Sequence, residues 1–429
     1  MLPSLLLASA TLAAPAAVAP AAAPNVLLVT IDTLRADHVG AYGYAAAQTP
    51  TIDRLAREGV RLEDAVVQVP QTRPSHACIM TGRLPYEHGI RDNYSPPLPA
   101  ALPTLATVLG GRGWDTAGFV GAYPVSRPSG LDHGFAHYDD PFAGGDSTTR
   151  EARTERRAQE VVDHALAWLA RPRSRPFLAW VHLFDPHAPY EAPAPYGTRF
   201  ARHPYDGEVA YADAQVGRLL DALRALGLEE RTLVVFAADH GEDLHEHNRY
   251  FFHSPSMYSS SLRIPLILAL PGVLPRSGET DHPASLVDVA PTALGLLGLP
   301  PPSSFQGVNL LPGGALPPRP ARTAVFSETN GRIFSVSTPE WRLVYNPDRL
   351  VPEAAGGPYP IGRTELFDRR HDPREQGNVA ALHPDEVRAL VAEVEAWRRR
   401  DLREGDASAV QTIDPGTAEE LRALGYVVH

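Results

Sequence analysis

The sequence predicts an α/β fold with a mostly parallel sheet, followed by a smaller C-terminal α+β subdomain. Three largely apolar runs, residues 25–31, 177–184 and 232–238, each lead directly into an aspartate. Apolar runs of this length are typical of strands that a parallel sheet buries on both faces. Segments with helical periodicity lie between these runs, and this alternation indicates a doubly wound sheet.

Composition limits the possible functions. The 429 residues are 44% hydrophobic, which is enough for one large domain with an appendage or for two domains. The net charge of -11 argues against nucleic acid as a partner. The chain contains no lysine, which excludes any mechanism that depends on one. Its single cysteine, Cys78, excludes an intrachain disulfide and a multi-cysteine metal site, and we expect it to be a small buried apolar residue.

Residues 1–24 are almost all leucine, alanine and proline, and they predict a secretory signal or a disordered leader. An apolar run near the start and the small residues Ala21–Ala23 favour a signal, and export to the periplasm or the extracellular space is then expected. The missing positive charge at the start favours a disordered leader. No run in the sequence is long and apolar enough to predict a transmembrane span.

The remaining elements follow in order along the chain. Periodicity predicts helices at residues 51–59, 105–111, 153–170, 209–226 and 385–400. Apolar runs predict strands at residues 25–32, 116–121, 177–184, 232–238 and 263–270. After Gly307 a Pro/Gly-rich passage leads to short apolar runs, such as 333–336 and 341–345, which indicate antiparallel strands. We therefore assign residues 25–320 to a main domain and residues 321–429 to a C-terminal subdomain and tail.

The most informative stretch is residues 71–82, Gln-Thr-Arg-Pro-Ser-His-Ala-Cys-Ile-Met-Thr-Gly. Pro74 suits the first position of a helix, and Gly82 suits its end. Thr72 is then expected just before the helix, where free N–H groups and the positive end of the helix dipole favour an anion. Its hydroxyl is either a nucleophile toward an anionic ester or only a helix cap.

Polar side chains at the ends of the apolar strands form a candidate metal site. Ligand sites in parallel sheets lie at the carboxyl ends of the strands. Asp32, Asp239 and His240 supply the oxygen and nitrogen ligands that Zn²⁺ or Mn²⁺ takes, and Asp185 is a further candidate ligand. Each residue alone is more often structural, but their coincidence at three strand ends favours a site. A metal beside Thr72 would stabilise its alkoxide.

Four other residues complete the candidate site. His187 lies between prolines near a strand end, and His253 precedes a turn that contains a proline. Either histidine is a candidate for giving a proton to the leaving oxygen or for holding the anionic group of the substrate. We also expect His76 and Asn93 to contact the substrate.

With these residues assigned, the chain resembles the sulfatase family of the alkaline phosphatase superfamily from Asn25 to about Ala380. The matching segments are the strand that ends in Asp32, Pro-Ser-x-x-x-x-x-Thr-Gly-Arg-x-Pro at 74–85, His88-Gly89, Asp185-Pro186-His187, Asp-His-Gly-Glu at 239–242, residues 287–292, Gln306-Gly307 and the pattern from Glu365 to Asn378. The resemblance implies an alkaline-phosphatase-like α/β/α sandwich and a metal-dependent catalytic domain.

The chain departs from the usual sulfatase pattern at the nucleophile. Sulfatases usually carry Cys-x-Pro-Ser-Arg or Ser-x-Pro-Ser-Arg, whose first residue is oxidised to formylglycine, whereas residues 72–76 read Thr-Arg-Pro-Ser-His. A threonine cannot become formylglycine by that route. Asp32-Thr33 stands where sulfatases usually have two acids, and the Gly-Lys-Trp-His segment of the family is replaced around residues 121–123. Thr-x-Pro-x-His is instead similar to the phosphodiesterases of the superfamily, which use a threonine nucleophile and commonly two zinc ions.

This resemblance implies a metal site, with Zn²⁺ or Mn²⁺ favoured and Ca²⁺ as a third option. The residues that match it are Asp32, Thr72, Asp239 and His240. A second ion at Asp185, His187 and His253 is one alternative. The other is a single ion, with His187 and His253 acting on the substrate.

We therefore expect a sulfatase-family hydrolase that cleaves a sulfate or phosphate ester through a covalent Thr72 intermediate. The expected substrate is a small anionic ester or a sulfated or phosphorylated glycan. Alternatives within the superfamily are a phosphodiesterase or phosphonate monoester hydrolase, and a phosphoryl transferase that acts on a glycan or lipid acceptor. An alternative of a different class is a non-catalytic relative that binds anionic glycans.

Overall fold

The structure, a computed structural model, describes residues 23–142, 155–248, 253–349, 353–354, 357–358 and 362–404. The predicted leader therefore lies outside the described residues, apart from Ala23 and Pro24, and so does the predicted tail beyond residue 404. In the part of the chain that is described, no helix combines the length and the apolar composition that a membrane span requires.

Within the described residues, the main sheet has nine strands. They are β1 (Asn25–Ile31), β2 (Val60–Val66), β3 (Asp115–Val120), β4 (His137–Asp139), β5 (Phe177–Leu183), β6 (Thr232–Ala238), β7 (Arg263–Ala269), β8 (Gly278–Thr280) and β9 (Ala284–Ser285). Their order across the sheet is β4-β3-β5-β1-β6-β7-β2-β8, and β9 also pairs with β2. All neighbouring strands in this order are parallel except at β7, which runs antiparallel to both β6 and β2.

The helices of the described chain flank this sheet and close the C-terminal region. They are α1 (Pro50–Glu58), α2 (Thr72–Thr81), α3 (Pro85–His88), α4 (Leu105–Gly110), α5 (Ala158–Leu169), α6 (Tyr196–Arg199), α7 (Pro204–Ala225), α8 (Ser259–Leu262), α9 (Val289–Leu296) and α10 (Pro384–Glu404). Helix α7 contacts α1 and α5, whereas α2 contacts α4 and α9. Every residue of the central strands β1, β5 and β6 is buried, so helices cover both faces of the sheet.

The C-terminal subdomain is built on a second, four-stranded antiparallel sheet. Its strands are β10 (Val325–Thr329), β11 (Ile333–Ser337), β12 (Trp341–Tyr345) and β15 (Thr364–Asp368), and a two-residue ribbon is formed by β13 (Glu353–Ala354) and β14 (Gly357–Pro358). Leu390, Val394 and Trp397 of α10 pack in one apolar cluster with residues of this sheet. Polar contacts fix the subdomain to the main domain, including the ion pairs of Arg369 with Asp64 and of Glu328 with Arg91.

The predicted fold class is confirmed: the main sheet is mostly parallel, and a small antiparallel sheet follows it. Three details of the prediction were wrong. Strand β2 was not predicted, the strand at 263–269 is antiparallel, and the helix predicted from residue 153 begins only at Ala158. Glu155 instead forms an antiparallel bridge with Ala122, and Arg157 is extended with φ -63° and ψ 146°.

Candidate active site

Helix α2 begins at Thr72, so Thr72 is the first helical residue rather than the residue before the helix, as the sequence had predicted. Gln71 is extended (φ -149°, ψ 146°) and precedes it. Pro74 is tolerated in the first turn because the first N–H groups of a helix have no intrahelical partner. Gly82 ends the helix in the left-handed conformation with φ 60°, as predicted.

Strand β1 brings Asp32 to the start of this helix. The Thr72 hydroxyl donates a hydrogen bond of 3.2 Å to Asp32 Oδ2, and both side chains are fully buried. The hydroxyl is thus held against a carboxylate that is able to accept its proton.

Strand β6 lies beside β1 and places Asp239 and His240 next to Asp32. Asp239 Oδ1 accepts hydrogen bonds from the backbone N–H groups of His240 (2.8 Å) and Thr33 (3.2 Å). His240 Nδ1 lies 3.0 Å from the Gly241 carbonyl oxygen. Because a carbonyl only accepts, His240 Nδ1 carries the proton and Nε2 carries the lone pair of the neutral ring.

The side chains of Asp32, Asp239 and His240 each have one polar atom that is not used in these hydrogen bonds, and the three atoms lie close together. Asp32 Oδ1, Asp239 Oδ2 and His240 Nε2 are buried and have no hydrogen-bond partner among the described residues. His240 Nε2 lies 3.7 Å from Asp32 Oδ1 and 3.5 Å from Asp239 Oδ2. Ligands at 2.0–2.2 Å from a tetrahedral zinc ion lie roughly 3.3–3.6 Å apart, so these atoms fit a metal ion. Asp32, Asp239 and His240 form one of two groups with metal-like spacing in the described chain.

The electrostatics of the site also favour a cation. Burial raises the pKa of both the Asp32 and the Asp239 carboxyl groups well above their usual range, and the charge of Asp32 raises that of Asp239 further. Burial also lowers the pKa of His240, which keeps its ring neutral. Two buried carboxylates are costly without a positive partner, and a neutral imidazole is a good metal ligand.

His253 lies beside His240, and His187 lies beside His253. The His253 ring centroid is 4.2 Å from that of His240 and 5.9 Å from that of His187, which stacks on Phe184. His187 Nδ1 donates to the Ala188 carbonyl and His253 Nδ1 to the Pro70 carbonyl, each at 2.7 Å. Burial lowers the pKa of His187 to about 4 and that of His253 to about 3. Both neutral rings therefore keep their proton on Nδ1 and the lone pair on Nε2.

Asn93 and His76, the two residues predicted to contact the substrate, lie near Thr72 but make different contacts. Asn93 Oδ1 accepts the backbone N–H of Arg73 at 2.8 Å, and its buried Nδ2 has no partner within the described ranges. His76 is fully buried, donating from Nδ1 to the Thr72 carbonyl (2.7 Å) and lying 3.0 Å from Thr30 Oγ1 through Nε2. Asn93 thus offers a donor beside Thr72, whereas His76 holds the backbone of Thr72.

Asp185 is not brought together with Asp32 and Asp239. Its Oδ2 accepts the backbone N–H of Ala158 at 2.8 Å, and its Oδ1 accepts Arg157 Nη1 at 3.1 Å. Both oxygens are therefore committed to the start of helix α5, where a carboxylate complements the positive end of the dipole.

Known proteins share both the sequence pattern and the fold of this chain. The sequence profile of one family, Sulfatase, matches residues 24–299. The chain belongs to the sulfatase family. The ulvan-active sulfatase of Formosa agariphila is 26% identical and is aligned over 89% of this chain and 81% of its own length. Arylsulfatase A of Homo sapiens is 28% identical over 89% of each chain. Membership of this family confirms the prediction of an ester hydrolase.

Solved structures support the same fold. One, in complex with its substrate D-glucosamine-2-N,6-O-disulfate, superposes with a TM-score of 0.73 at 21% identity and covers 90% of this chain and 100% of its own. The phosphonate monoester hydrolase of Agrobacterium radiobacter gives a TM-score of 0.69 at 21% identity, covering 88% of this chain and 96% of its own. The predicted alkaline-phosphatase-like fold is thereby confirmed for this sulfatase.

One residue beside the candidate site, His182, was not predicted from the sequence. It lies within strand β5, is fully buried, and its Nε2 is 3.5 Å from Asp32 Oδ2. His76, His182 and Asp239 form the second group with metal-like spacing. The signal in the sequence was a single histidine inside the apolar run at 177–184.

Proposed function

We propose that this sulfatase-family enzyme cleaves an anionic ester by attack of Thr72 Oγ1 on phosphorus or sulfur, beside a divalent cation held by Asp32, Asp239 and His240. The observation that carries the proposal is the convergence of three unpartnered, buried ligand atoms next to the Thr72 hydroxyl. Zn²⁺ and Mn²⁺ suit this mixture of carboxylate oxygen and imidazole nitrogen better than Ca²⁺, which prefers oxygen ligands.

Thr72 and Asp32 form the nucleophilic unit. Asp32 Oδ2 already accepts the hydrogen bond of the Thr72 hydroxyl and is the acceptor for its proton during attack. A bound cation would supply Lewis-acid stabilisation of the Thr72 alkoxide and of the charge on the ester. Because Thr72 is the first residue of helix α2, the positive end of the helix dipole also favours an anionic substrate there.

Asn93 is the donor for a non-bridging oxygen of the substrate. The backbone N–H of Arg73 identifies Oδ1 as the acceptor end of the amide, so Nδ2 is the end that is buried without a partner in the described chain. The Asn93 backbone N–H donates to Gln71 Oε1 at 3.0 Å, which holds the residue against the start of α2. A preorganised donor of this kind stabilises charge that grows in the transition state.

His187 and His253, beside His240, are the groups that transfer protons during release of the product. As neutral rings with Nε2 lone pairs, they suit the activation of water that releases the covalent Thr72 ester. The ring passes that proton to solvent, while Asp32 returns the proton that it took from Thr72 to the departing Thr72 oxygen. The leaving oxygen of the ester takes its proton from solvent water through the same rings, whose protonated form the negative charge of the bound substrate favours.

We infer that phosphodiesters or phosphonate monoesters are better substrates than sulfate esters. A Thr72 ester has to be released by in-line attack of water, whereas the formylglycine hydrate of typical sulfatases releases sulfate by elimination. Sulfated glycans are the second candidate. Sulfated glycans are favoured by two proteins that are similar to this chain, an ulvan-active sulfatase and a protein solved in complex with a glucosamine disulfate.

The test is hydrolysis of matched p-nitrophenyl esters: a phosphodiester, a phosphonate monoester, a phosphate monoester and a sulfate, each with Zn²⁺, Mn²⁺ or Ca²⁺. Thr72→Ala should abolish turnover, and Thr72→Ser should retain it because the hydroxyl is kept. Thr81→Ala is the matched control, since Thr81 is a buried threonine at the other end of the same helix, with its hydroxyl bonded to the Ala77 carbonyl. Mass spectrometry of rapidly quenched enzyme should find the ester group on the peptide that contains Thr72.

Turnover that survives Thr72→Ala would exclude Thr72 as the nucleophile. A metal-loaded protein that binds sulfated or phosphorylated glycans but hydrolyses none of the esters would favour the non-catalytic alternative. A product that appears only when a glycan or lipid acceptor is added would identify a phosphoryl transferase.

A further inference from the structure

His182 lies beside the candidate metal site, and the proposed nucleophile and metal do not explain its role. Strand β5 pairs with β1 and β3, and His182 stands opposite Thr30 and Val120 in those pairs. Its Nε2 is 3.5 Å from Asp32 Oδ2, the oxygen that also receives the Thr72 hydroxyl. This Nε2 is buried and has no hydrogen-bond partner in the described part of the chain.

The hydrogen bond on the other side of the ring identifies the tautomer. The backbone N–H of Gly121 points at His182 Nδ1 over 3.3 Å. A backbone N–H can only donate, so Nδ1 holds the lone pair and Nε2 carries the proton of the neutral ring. His240 is the opposite case, because its Nδ1 donates to the Gly241 carbonyl and its Nε2 holds the lone pair. His240 is thus set up as a metal ligand, and His182 is set up as a hydrogen-bond donor.

The same reasoning applies to His76. Trp180 Nε1–H donates to Thr30 Oγ1 at 3.0 Å, and the Thr30 hydroxyl in turn donates to His76 Nε2. His76 Nδ1 therefore carries a proton, which it gives to the Thr72 carbonyl while lying 3.7 Å from Asp239 Oδ2. The group His76, His182 and Asp239 has metal-like spacing, but the two ring nitrogens that face it, His76 Nδ1 and His182 Nε2, both carry protons and offer a metal no lone pair.

We propose that His182 is a positioning residue that donates from Nε2–H to Asp32 Oδ2. The donor occupies one oxygen of Asp32, so that Oδ1, the unpartnered oxygen, faces the metal. When Thr72 gives up its hydroxyl proton, Asp32 Oδ2 loses that donor and His182 is the donor that remains. The group His76, His182 and Asp239 then holds no second ion. This inference rests on the proposed nucleophile and metal site.

The experiment compares His182→Gln with His182→Leu. A glutamine amide offers an N–H near the ε position of the ring but is a poor ligand for Zn²⁺ or Mn²⁺, whereas leucine offers neither. We expect one metal per chain in wild type by elemental analysis, an unchanged metal affinity in His182→Gln, and an affinity about 10- to 100-fold lower in His182→Leu, as for other groups that orient a metal ligand. Affinity is measured by competition with a chromogenic chelator, so no substrate is needed.

His88→Gln is the matched control. His88 is also buried and also accepts a backbone N–H, that of Ile90, at Nδ1, but its Nε2 faces Cys78 Sγ at 3.3 Å. It should bind metal like the wild type. Equal losses in His182→Gln and His182→Leu, or two metals in wild type that fall to one in both variants, would overturn the proposal, because His182 would then be a ligand.

A second measurement does not depend on metal binding or on the His182→Leu variant. In ¹⁵N-histidine-labelled wild type, long-range ¹H–¹⁵N correlation spectra should show the Nε2–H tautomer for the ring whose signals are missing in His182→Gln. The Nδ1–H tautomer would overturn the proposal. If Thr72→Ala stayed active while the tautomer and metal data were as expected, the proposed nucleophile would fail and the donor role of His182 would stand.

Discussion

The substitution Asp239→Asn removes a negative charge from the candidate metal site but keeps an oxygen that accepts the existing hydrogen bonds. The amide oxygen can still accept the N–H groups of Thr33 and His240, which now bind Asp239 Oδ1. The amide nitrogen takes the place of Oδ2, which is buried without a partner in the described chain and 3.5 Å from His240 Nε2. Because that Nε2 has a lone pair, the substitution offers it a donor and removes one of two neighbouring buried negative charges.

The sign of the effect depends on the metal. Without metal, the pKa of the Asp239 carboxyl is raised by burial and by Asp32, so the folded chain keeps a proton that the unfolded chain has already lost. The free energy of unfolding then falls as pH rises above the unfolded pKa of about 4, by up to about 1.4 kcal/mol per pH unit. Asp239→Asn removes this slope. At neutral pH in a chelator, it should be more stable than wild type by roughly 1–3 kcal/mol.

With metal, the order should reverse. A ligand at about 100 times its dissociation constant stabilises the folded state by about 2.7 kcal/mol, and Asp239→Asn has lost one of the three ligands that would provide this gain. Thermal denaturation of both proteins, once with EDTA and once with saturating Mn²⁺, measures the difference in stability without metal and with metal. Asp213→Asn is the control, because Asp213 is a buried carboxylate that accepts the N–H groups of Thr51 and Ile52 far from the site. It should be destabilising to the same extent in both conditions. If Asp239→Asn were the less stable protein in EDTA, the reasoning would be refuted.

Three further predictions address substrate contact, proton transfer and the fold. Asn93→Asp keeps the acceptor for Arg73 N–H but loses the Nδ2 donor, so kcat should fall by about 10²–10³ in steady-state assays, and an unchanged kcat would remove Asn93 from the reaction. Because burial lowers the pKa of His187 to about 4, the pH profile of kcat/KM should lack the limb near pH 6.5 that an ordinary histidine gives, and such a limb that vanished in His187→Gln would contradict this. In Gly307→Ala, the new Cβ would overlap the Val287 carbonyl oxygen, so thermal denaturation should show the free energy of unfolding reduced by about 3 kcal/mol or more. Gly272→Ala, at φ +73° but in open space, should lose about 1–2 kcal/mol, and equal losses in the two variants would speak against the close contact.

The strands that organise this fold were predictable because they are buried on both faces. The runs at 25–31, 177–183 and 232–238 are strands β1, β5 and β6, the centre of the sheet. Strand β2 was missed because Val-Arg-Leu-Glu-Asp-Ala-Val mixes charged and apolar residues, as suits a strand with side chains of intermediate exposure. The direction of β7 was not predictable, since apolar periodicity is the same for parallel and antiparallel strands.

Site residues that follow the end of a strand were predictable from the sequence. Residues whose role depends on which way the side chain points were not. Asp32, Asp239 and His240 follow adjacent parallel strands, so their proximity follows from the topology. Asp185 follows β5 in the same way, but the N–H of Ala158 and the guanidinium of Arg157 take both of its oxygens. No pattern in the sequence shows that the chain after β5 turns this carboxylate toward the start of helix α5.

The roles of the buried histidines also depend on orientation, in this case on which ring nitrogen carries the proton. His76, His182, His187, His240 and His253 are all buried, and burial lowers the pKa of each. What separates a ligand from a donor is the backbone group at the other ring nitrogen, which is a carbonyl for His240 and an N–H for His182. That group comes from Gly241 in one case and from Gly121, on a different strand end, in the other. The residue types therefore permitted a second metal at His76, His182 and Asp239, and the backbone around these two histidine rings argues against it.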